Sequence, residues 1–275
     1  MRSISKLIPI LAATTVLVVF CSPLGALAEQ KLTLSGSSTL APLASEMAKS
    51  FEQQHRDVRI DVQTGGSTRG IVDAKNGLSD LGMSSRALYP AESTALTSYT
   101  VAIDGVAFVV HEDNRIDALS KQQARDIYSG KITNWGQLGA PDAPISVINR
   151  AKGRSEYDLV AAYLKLKPTE YHEDVVAGEN QQCIKLISSN PNAIVYLSVG
   201  TAEYEVSRGA PIKILALEGI EGSVKTVQNG TFPIVRPLLF VSRERPAGLL
   251  KEFLDFALSR QVSELIREQS FVPPR

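Results

Sequence analysis

Three short stretches of this sequence combine hydroxyl side chains with glycine at the ends of predicted strands. They span residues 36–39, 65–70 and 81–86. The first two also precede helical patterns, and a helix that begins after such a turn directs free backbone N–H groups and the positive end of its dipole towards it. The chemistry expected at these turns is the binding of an anion. Serine and threonine that only cap a helix produce the same pattern.

The candidate contacts to an anion are the polar groups of these turns and the backbone at the start of the first helix. They are Ser38, Thr39, Leu40, Ser67 and Ser85. In open α/β sheets, ligands bind beyond the carboxyl ends of the strands, so three polar strand ends favour one shared site. Taken singly, each serine is also an ordinary turn residue.

A fourth stretch, residues 150–158, adds the positive charge that the hydroxyl turns lack. It follows a predicted strand and carries Arg150 and Arg154 on either side of a glycine. The forked donors of a guanidinium match the oxygen atoms of a tetrahedral oxyanion. Ser155 and Asp158 are spaced like a capping box, which predicts that Ser155 caps the following helix. The four stretches together indicate an oxyanion site.

The elements that must position these groups alternate between strand and helix, which predicts the α/β class. Two strongly apolar runs, at 101–111 and 232–241, are typical of buried strands and are predicted to cross between two lobes. The predicted organisation is a first lobe at 29–107, a second lobe at 108–228 and a return to the first lobe at 229–275.

The first 28 residues have the features of a secretory signal. Arg2 and Lys6 supply a positive start, an apolar run at 7–20 follows, and Ala-Leu-Ala before residue 29 fits a cleavage site after Ala28. A lipid anchor at Cys21 is the alternative, but the bulky residue before this cysteine favours cleavage. The mature protein is therefore predicted to be periplasmic or otherwise exported.

The mature composition excludes several classes of protein. Without the signal, 27 of the 29 basic residues and all 29 acidic residues remain, a net charge of −2. The chain therefore lacks the excess of positive charge that is typical of proteins that bind nucleic acid. Cys183 is then the only cysteine, which rules out an intrachain disulfide and favours a buried thiol. The three histidines are far apart and no stretch has metal-ligand spacing, so we expect no metal site. We also expect no cofactor, and we expect the protein to be a monomer.

Eight longer stretches follow one another in a recognisable order. They are SGSSTLAPL (35–43), TGGSTRGI (64–71), LGMSSR (81–86), AIDGVAFVVH (102–111), LSKQQARDIYSGKITNWGQLG (119–139), NRAKGR (149–154), NPNAIVYLS (190–198) and NGTFPIVRPLLF (229–240). Together they cover nearly all of the mature chain, and the sequence resembles the substrate-binding proteins of bacterial phosphate ABC transporters. YSGKITNW is the most specific marker of this family.

The resemblance implies a two-lobed periplasmic binding protein fold of type II, with two crossovers and a ligand cleft between the lobes. It also implies inorganic phosphate as the ligand, an inner-membrane ABC permease as the partner, and no enzymatic activity. Members of the family hold the anion with backbone N–H groups, hydroxyls, an arginine and an acidic acceptor. By position, Thr39 and Leu40 fall on the first loop of that site, Ser67 on the second and Arg150 on the arginine, whereas Ser38 is a candidate from local chemistry alone.

The chain departs from the family pattern at two places. Where the family commonly has an aspartate after the third strand, this chain has Ser85 followed by Arg86. Where it commonly has Gly-Ser-Gly-Thr after the arginine, this chain has Gly-Arg-Ser-Glu at 153–156, which makes Arg154 and Ser155 candidate contacts. Phosphate near neutral pH carries a proton and sulfate carries none, so the loss of a buried acceptor removes or relocates the discrimination between them.

Glu156 is the candidate for a relocated proton acceptor. Its charge is predicted to be balanced by Arg154 and Arg86. The alternative is a structural role, because an acidic residue in the first turn of a helix is favourable on dipole grounds alone.

Three other functions stay open at this point. The same fold is compatible with sulfate, phosphonate, phosphite or another oxyanion as the ligand. An envelope protein for signalling or adhesion would also retain the binding site. A secreted phosphoesterase would need a metal or an activated nucleophile, and the sequence has no Gly-x-Ser-x-Gly elbow.

Overall fold

The computed structural model describes residues 29–274, and the predicted signal at 1–28 lies outside the described residues. The first part of the chain alternates strands and helices and ends in one long strand. Its elements are β1 (Gln30–Gly36), α1 (Ala41–Gln54), β2 (Val58–Thr64), α2 (Ser67–Asn76), β3 (Leu81–Ser84), α3 (Pro90–Ser93) and β4 (Thr97–His111). The two predicted units of strand, hydroxyl turn and helix are confirmed.

The rest of the chain continues this alternation with shorter strands. Its elements are β5 (Ala118–Leu119), α4 (Lys121–Tyr128), a 3-10 helix (Trp135–Leu138), β6 (Ser146–Arg150), α5 (Ser155–Leu164), β7 (Val175–Ala177), α6 (Asn180–Ser188), β8 (Ala193–Ser198), α7 (Val199–Ser207), β9 (Ile212–Ile214), β10 (Ala216–Leu217), α8 (Val224–Gln228), β11 (Val235–Ser242), α9 (Gly248–Ala257), a second 3-10 helix (Arg260–Val262) and α10 (Ser263–Glu268). Across the described part of the chain, no helix combines the length and apolar character that spanning a membrane requires.

Nine strands of the described chain form one sheet that passes from the first lobe into the second. Its order is β2-β1-β3-β11-β4-β8-β6-β7, with β9 also beside β4. In the first lobe, β1 runs parallel to β2 and β3, and β11 runs antiparallel to β3. In the second lobe, β6 runs parallel to β8 and β7. The carboxyl ends of the parallel strands in each lobe therefore lie at a common edge, where the predicted turns follow them.

Two strands join the lobes, β4 and β11. The first half of β4 pairs with β11 in a register that sets Asp104 opposite Arg236. The second half pairs with β8 and sets Phe108 opposite Tyr196. The two apolar runs predicted as crossovers are confirmed as these strands. The lobe boundaries predicted after residues 107 and 228 stay predictions, since β4 passes its boundary without a break.

The core of the first lobe includes the end of the chain. Phe51 of α1 packs edge-on against Phe253 of α9, with ring centroids 5.5 Å apart. A helical pattern at 247–266 predicts a single helix on this lobe, and the packing is confirmed. The helix itself is interrupted, because Ser259 caps a short 3-10 helix by accepting a hydrogen bond from the Gln261 N–H.

The motif that marks the family resemblance most specifically contributes to the core of the second lobe. Trp135 is 2% exposed, and its indole Nε1 donates to the Asn192 carbonyl at 3.0 Å. Tyr128, at the start of the motif, is fully buried, with its ring centroid 5.6 Å from that of Phe108. The motif is therefore explained by packing within the lobe.

Candidate ligand-binding site

The hydroxyl turns that follow β1, β2 and β3 meet at one point. Ser85 Oγ accepts a hydrogen bond from Ser37 Oγ at 2.9 Å and lies 3.3 Å from Ser67 Oγ. The Ser85 N–H donates to Ser67 Oγ at 3.0 Å. All three serines are at most 2% exposed. The three polar strand ends therefore lie together, as the sheet geometry predicts.

Close packing of α2 on the sheet brings the second turn into this position. A Cβ atom at Gly70 would lie 2.4 Å from the Ser35 carbonyl and 2.7 Å from the Met83 carbonyl. A side chain does not fit at this approach, so only glycine allows α2 to lie directly on β1 and β3. Gly70 therefore positions Ser67 beside Ser85.

The second lobe contributes the start of α5 to the same point. Ser155 Oγ lies 2.6 Å from Ser85 Oγ, and the Thr68 N–H donates to the Gly153 carbonyl at 3.2 Å. The prediction that Ser155 caps α5 is wrong. The N-cap residue is Arg154, without a side-chain hydrogen bond to the helix, because Ser155 is already the first helical residue. Its hydroxyl instead contacts the other lobe.

We use the term polar cluster for the hydroxyl side chains of Thr39, Ser67, Ser85 and Ser155 together with five buried charged and amide side chains around them. Its members come from both lobes and from both crossover strands. None is more than 3% exposed: Thr39, Ser67, Ser85, Asp104, Arg150, Ser155, Glu156, Asn180 and Arg236. Buried polar groups are costly unless they are hydrogen-bonded, so the contacts within the cluster determine its stability.

Arg236 makes the most contacts within the polar cluster. Its Nε and Nη2 donate to Asp104 Oδ2 at 3.0 and 2.8 Å. Its Nη1 donates to Ser155 Oγ at 2.9 Å and to Glu156 Oε1 at 2.8 Å, and its Nη2 donates to Thr39 Oγ1 at 3.2 Å. Burial lowers the pKa of this guanidinium, but Glu156 and Asp104 outweigh burial and raise the pKa of Arg236. The side chain therefore stays charged.

The residue pattern did not identify Asp104, Arg236 or Asn180 as members of the site. Asp104 and Arg236 lie within the two apolar crossover runs, and the register of β4 and β11 sets them opposite each other. Charged residues are almost never fully buried unless paired, so a single charge in each run is the signal that would have identified them. Asn180, whose Nδ2 donates to Thr39 Oγ1 at 3.2 Å, has no comparable signal.

Arg150 connects the polar cluster to the start of α6. Its Nη2 donates to the Gly178 carbonyl at 2.9 Å and to Asn180 Oδ1 at 3.0 Å, and its Nη1 lies 2.6 Å from Cys183 Sγ. The same Nη2 is 3.8 Å from Glu156 Oε2. Burial raises the pKa of the Cys183 thiol, which leaves a neutral sulfur beside the guanidinium. Arg150 therefore provides a second fixed positive charge.

The Glu156 carboxylate lies between these arginines. Its Oε1 accepts hydrogen bonds from Arg236 Nη1 and from Thr39 Oγ1, the latter at 2.9 Å. Burial alone would raise the pKa of Glu156, but Arg236 and Arg150 outweigh burial and hold that pKa well below its usual range. The group is therefore ionised at neutral pH. Its role as a proton acceptor for a ligand stays a prediction.

The prediction that Arg154 and Arg86 balance the charge of Glu156 is wrong. Arg154 Nη2 pairs with Glu179 Oε1 at 2.8 Å. Arg86 donates two hydrogen bonds to Glu92, at 2.8 and 2.9 Å. Glu92 is only six residues further along the chain and lies in α3, next to Arg86. Both arginines are neutralised outside the polar cluster.

Two further predicted contacts lie outside the polar cluster. Ser38 is half-buried, and among residues 29–274 no hydrogen bond joins its side chain to the cluster. The Leu40 side chain is fully buried in the core of the first lobe. The N–H groups of Thr39 and Leu40 donate to Ser37 Oγ at 3.2 and 3.3 Å. Ser37 Oγ therefore accepts from the two N–H groups that immediately precede α1.

Four helices begin at the polar cluster. Helix α1 begins two residues after Thr39, and α2, α5 and α6 begin with Ser67, Ser155 and Asn180. The positive ends of their dipoles favour negative charge at the point where they meet. Within the described chain, no group of three histidine, cysteine, aspartate or glutamate side chains is placed to hold a metal ion. The arrangement is suited to holding a small oxyanion through hydroxyl and guanidinium donors.

Comparison with known proteins places this site in a family. A family profile described as the PBP superfamily domain matches residues 23–261, which is most of the chain. The chain belongs to the PBP superfamily. Among solved structures of this superfamily, a Clostridium perfringens protein described as a phosphate ABC transporter substrate-binding protein, with bound phosphate, is 30% identical to it. The match covers 90% of this chain and 100% of that one, with a TM-score of 0.83.

Two further relatives are also named for phosphate transport or phosphate binding. An ABC-type phosphate transport receptor from Vibrio cholerae is 30% identical, with a TM-score of 0.71 over 88% of this chain and 100% of that one. The phosphate-binding protein PstS of Bacillus subtilis is 29% identical over 250 residues, covering 90% of this chain and 81% of the relative. The predicted family and its two-lobed type II fold are therefore confirmed for this member of the PBP superfamily.

Proposed function

We propose that this protein captures inorganic phosphate in the cleft between its lobes and delivers it to the permease of an ABC transporter in the inner membrane. The polar cluster supports this function most directly, because hydroxyls from both lobes and two buried arginines meet there. The relatives from B. subtilis, C. perfringens and V. cholerae are named for phosphate binding or phosphate transport. Like them, the chain is a binding protein and not an enzyme.

The proposed contacts to phosphate are the hydroxyl and guanidinium donors of the polar cluster. They are Thr39, Ser67, Ser85, Arg150, Ser155 and Arg236. Charge-assisted hydrogen bonds from arginine are about twice as strong as neutral ones, so Arg150 and Arg236 should dominate the affinity. Phosphate that contacts both lobes favours the closed protein by its differential affinity for that state. Ser38, Leu40 and Arg154 stay predicted contacts outside the cluster.

We also propose that the protein is exported as a monomer after cleavage behind Ala28. Intact-mass spectrometry of the protein recovered from the producing cells should give the mass of a chain that begins at Glu29, and light scattering should give the mass of one chain. A mass that retains residues 1–28, or a lipid-modified chain that begins at Cys21, would contradict the cleavage.

Protein freed of ligand by unfolding and refolding should bind one phosphate per chain and reject sulfate at neutral pH. The reason is the charge in the polar cluster, where the carboxylates of Asp104 and Glu156 repel an anion that carries no proton. Isothermal titration calorimetry with each anion measures this directly. Phosphate at a hundred times its dissociation constant should also stabilise the protein by about 2.7 kcal/mol, which calorimetric unfolding can detect.

The other outcomes of this titration separate the alternative functions. Binding of sulfate as tightly as phosphate would mean that the site selects oxyanions by shape and not by protonation. Binding of neither anion would overturn phosphate capture, and phosphonate and phosphite would then be titrated next. Hydrolysis of a generic phosphoester, with or without divalent metal, would contradict the assignment as a binding protein.

A further inference from the structure

The carboxylate of Glu156 lies where the donors proposed for phosphate converge. Its Oε1 accepts from Arg236 Nη1 at 2.8 Å and from Thr39 Oγ1 at 2.9 Å, and its Oε2 is 3.8 Å from Arg150 Nη2. Ser155 Oγ is 3.5 Å from the same Oε2. These donors come from the turn after β1, from β11, from β6 and from α5. All four belong to the proposed phosphate contacts.

The charges of the polar cluster are already balanced by its own residues. Two guanidinium groups, of Arg150 and Arg236, are matched by two carboxylates, of Asp104 and Glu156, and all four side chains are at most 3% exposed. A phosphate added to this set would leave buried negative charge without a partner, which is strongly unfavourable. One of the resident carboxylates must therefore leave when the anion binds.

Asp104 is the less mobile of the two carboxylates. Its Oδ2 accepts two hydrogen bonds from Arg236, its Oδ1 accepts one from the Gly200 N–H at 3.1 Å, and its backbone lies within β4, opposite Arg236 of β11. Glu156 lies in the first turn of α5, and the carboxylate is the end of a longer side chain. Glu156 is therefore the group that an incoming anion would replace.

We propose that the Glu156 carboxylate is a tethered anion that occupies the phosphate position and is displaced when phosphate binds. This inference rests on phosphate capture as the proposed function. With Glu156 displaced, two guanidiniums and one carboxylate remain, a formal charge of +1 that a monoanion such as H2PO4⁻ neutralises. A dianion such as sulfate would leave a negative excess beside the displaced carboxylate. The tethered anion therefore sets both the affinity of the site and its preference for protonated oxyanions.

Glu156 also links the two lobes without a ligand. It belongs to the second lobe, whereas Thr39 belongs to the first and Arg236 to a crossover strand. A carboxylate that bridges these segments stabilises closure in the way that the bound anion does. Ligand-free protein should therefore stay closed, and loss of the carboxylate should favour opening.

Glu156→Gln tests the proposal, because glutamine retains the shape of the side chain and loses its charge. If the carboxylate fills the position for nine-tenths of the time, its loss should tighten phosphate binding about tenfold, since apparent affinity is reduced by the fraction of competent sites. Sulfate should gain more than phosphate, because the displaced carboxylate repels a dianion more strongly. Calorimetric titration with inorganic phosphate and with sulfate measures both effects.

Glu92→Gln is the matched control. It also removes a carboxylate from a buried arginine, Arg86, but outside the polar cluster. We expect its phosphate affinity to stay within about twofold of the wild type, as for a substitution that does not touch the site. Weaker phosphate binding by Glu156→Gln would overturn displacement and identify Glu156 as the acceptor of the ligand proton. Unchanged binding would also overturn it.

Small-angle X-ray scattering measures closure of the lobes directly and, for the wild type, needs no substitution. The wild type should have the same radius of gyration with and without saturating phosphate, and ligand-free Glu156→Gln should have a larger radius of gyration than ligand-free wild type. Expansion of the ligand-free wild type would overturn the tethered anion even if the variant did not fold. If neither protein bound phosphate, phosphate capture itself would fail, and the comparison of the two ligand-free proteins would still decide whether the carboxylate holds the lobes together.

Discussion

Replacing Arg236 with glutamine should abolish phosphate binding and lower the free energy of unfolding by about 3–5 kcal/mol. The guanidinium is fully buried and pairs with Asp104 and Glu156 at 2.8 Å each. Without it, two carboxylates stay buried near a single remaining arginine, and an uncompensated buried charge causes losses of this size. Calorimetric titration with phosphate and denaturant unfolding measure the two effects separately.

Arg236→Lys separates charge from geometry. Lysine retains the positive charge but lacks the planar fork that reaches Asp104, Ser155 and Thr39 together, so we expect losses smaller than those of glutamine. Arg243→Gln is the control, since Arg243 follows β11, is 49% exposed in its side chain and, within residues 29–274, forms an ion pair with Glu244 alone. Its free energy of unfolding should change by less than about 0.5 kcal/mol.

The double variant Arg236→Gln with Glu156→Gln tests whether the two residues act on each other. It removes one of the carboxylates that the first substitution leaves unpaired. Its loss of stability should therefore be smaller than the sum of the single losses, by about 0.5–3 kcal/mol. Additive losses would mean that Arg236 and Glu156 do not act on each other. Wild-type phosphate affinity in Arg236→Gln would mean that the polar cluster is not the phosphate site.

The local pattern of the sequence was sufficient to predict which hydroxyls meet. Thr39, Ser67 and Ser85 each follow a strand of the first lobe, and Ser155 begins a helix of the second. Strands of one sheet bring such turns to a shared edge whatever their separation along the chain. The structure places Ser85 between Ser67 and Ser155, at 3.3 and 2.6 Å. The local succession of strand, turn and helix is therefore enough to predict most of the hydroxyl side chains that meet at the site.

The pairing of Asp104 with Arg236 could not be predicted in the same way. The two residues are 132 positions apart, and their contact depends on the antiparallel register of β4 and β11. Single-sequence patterns indicate that both segments are buried strands, but they do not fix the register between them. From the sequence alone, each residue is a single charge within an apolar run, with no partner indicated. The register of β4 and β11 sets the two charges opposite each other.

The partners predicted for Glu156 from the sequence are wrong. Arg154 is two residues away, but it pairs with Glu179 at the start of α6. Arg86 follows the third strand, but its side chain bonds to Glu92. Charges find partners through the packing of whole elements, which a sequence pattern does not contain. The true partners of Glu156 come from β6 and β11.

Acid should destabilise the wild-type protein more steeply than Glu156→Gln. Burial raises the pKa of Glu156, but Arg236 and Arg150 outweigh burial and hold the pKa below that of the unfolded chain. As pH falls below about 4.3, the unfolded state takes up a proton that the folded state does not. The stabilisation is therefore complete above that pH and is lost progressively below it, by up to about 1.4 kcal/mol for each pH unit. Denaturant unfolding from pH 5 to pH 3 measures the difference in slope.

Glu203→Gln provides a control, because it should change the pH dependence of the free energy of unfolding in the opposite direction. Burial raises the pKa of Glu203, so its folded state takes up a proton first and gains stability as pH falls. Its removal should make the acid loss steeper, whereas the removal of Glu156 should make it shallower. Comparing slopes also cancels the loss of stability that each substitution causes at neutral pH. If the curves of wild type and Glu156→Gln ran parallel, Glu156 would not be held ionised by its arginines, and a neutral side chain could not compete with phosphate for them.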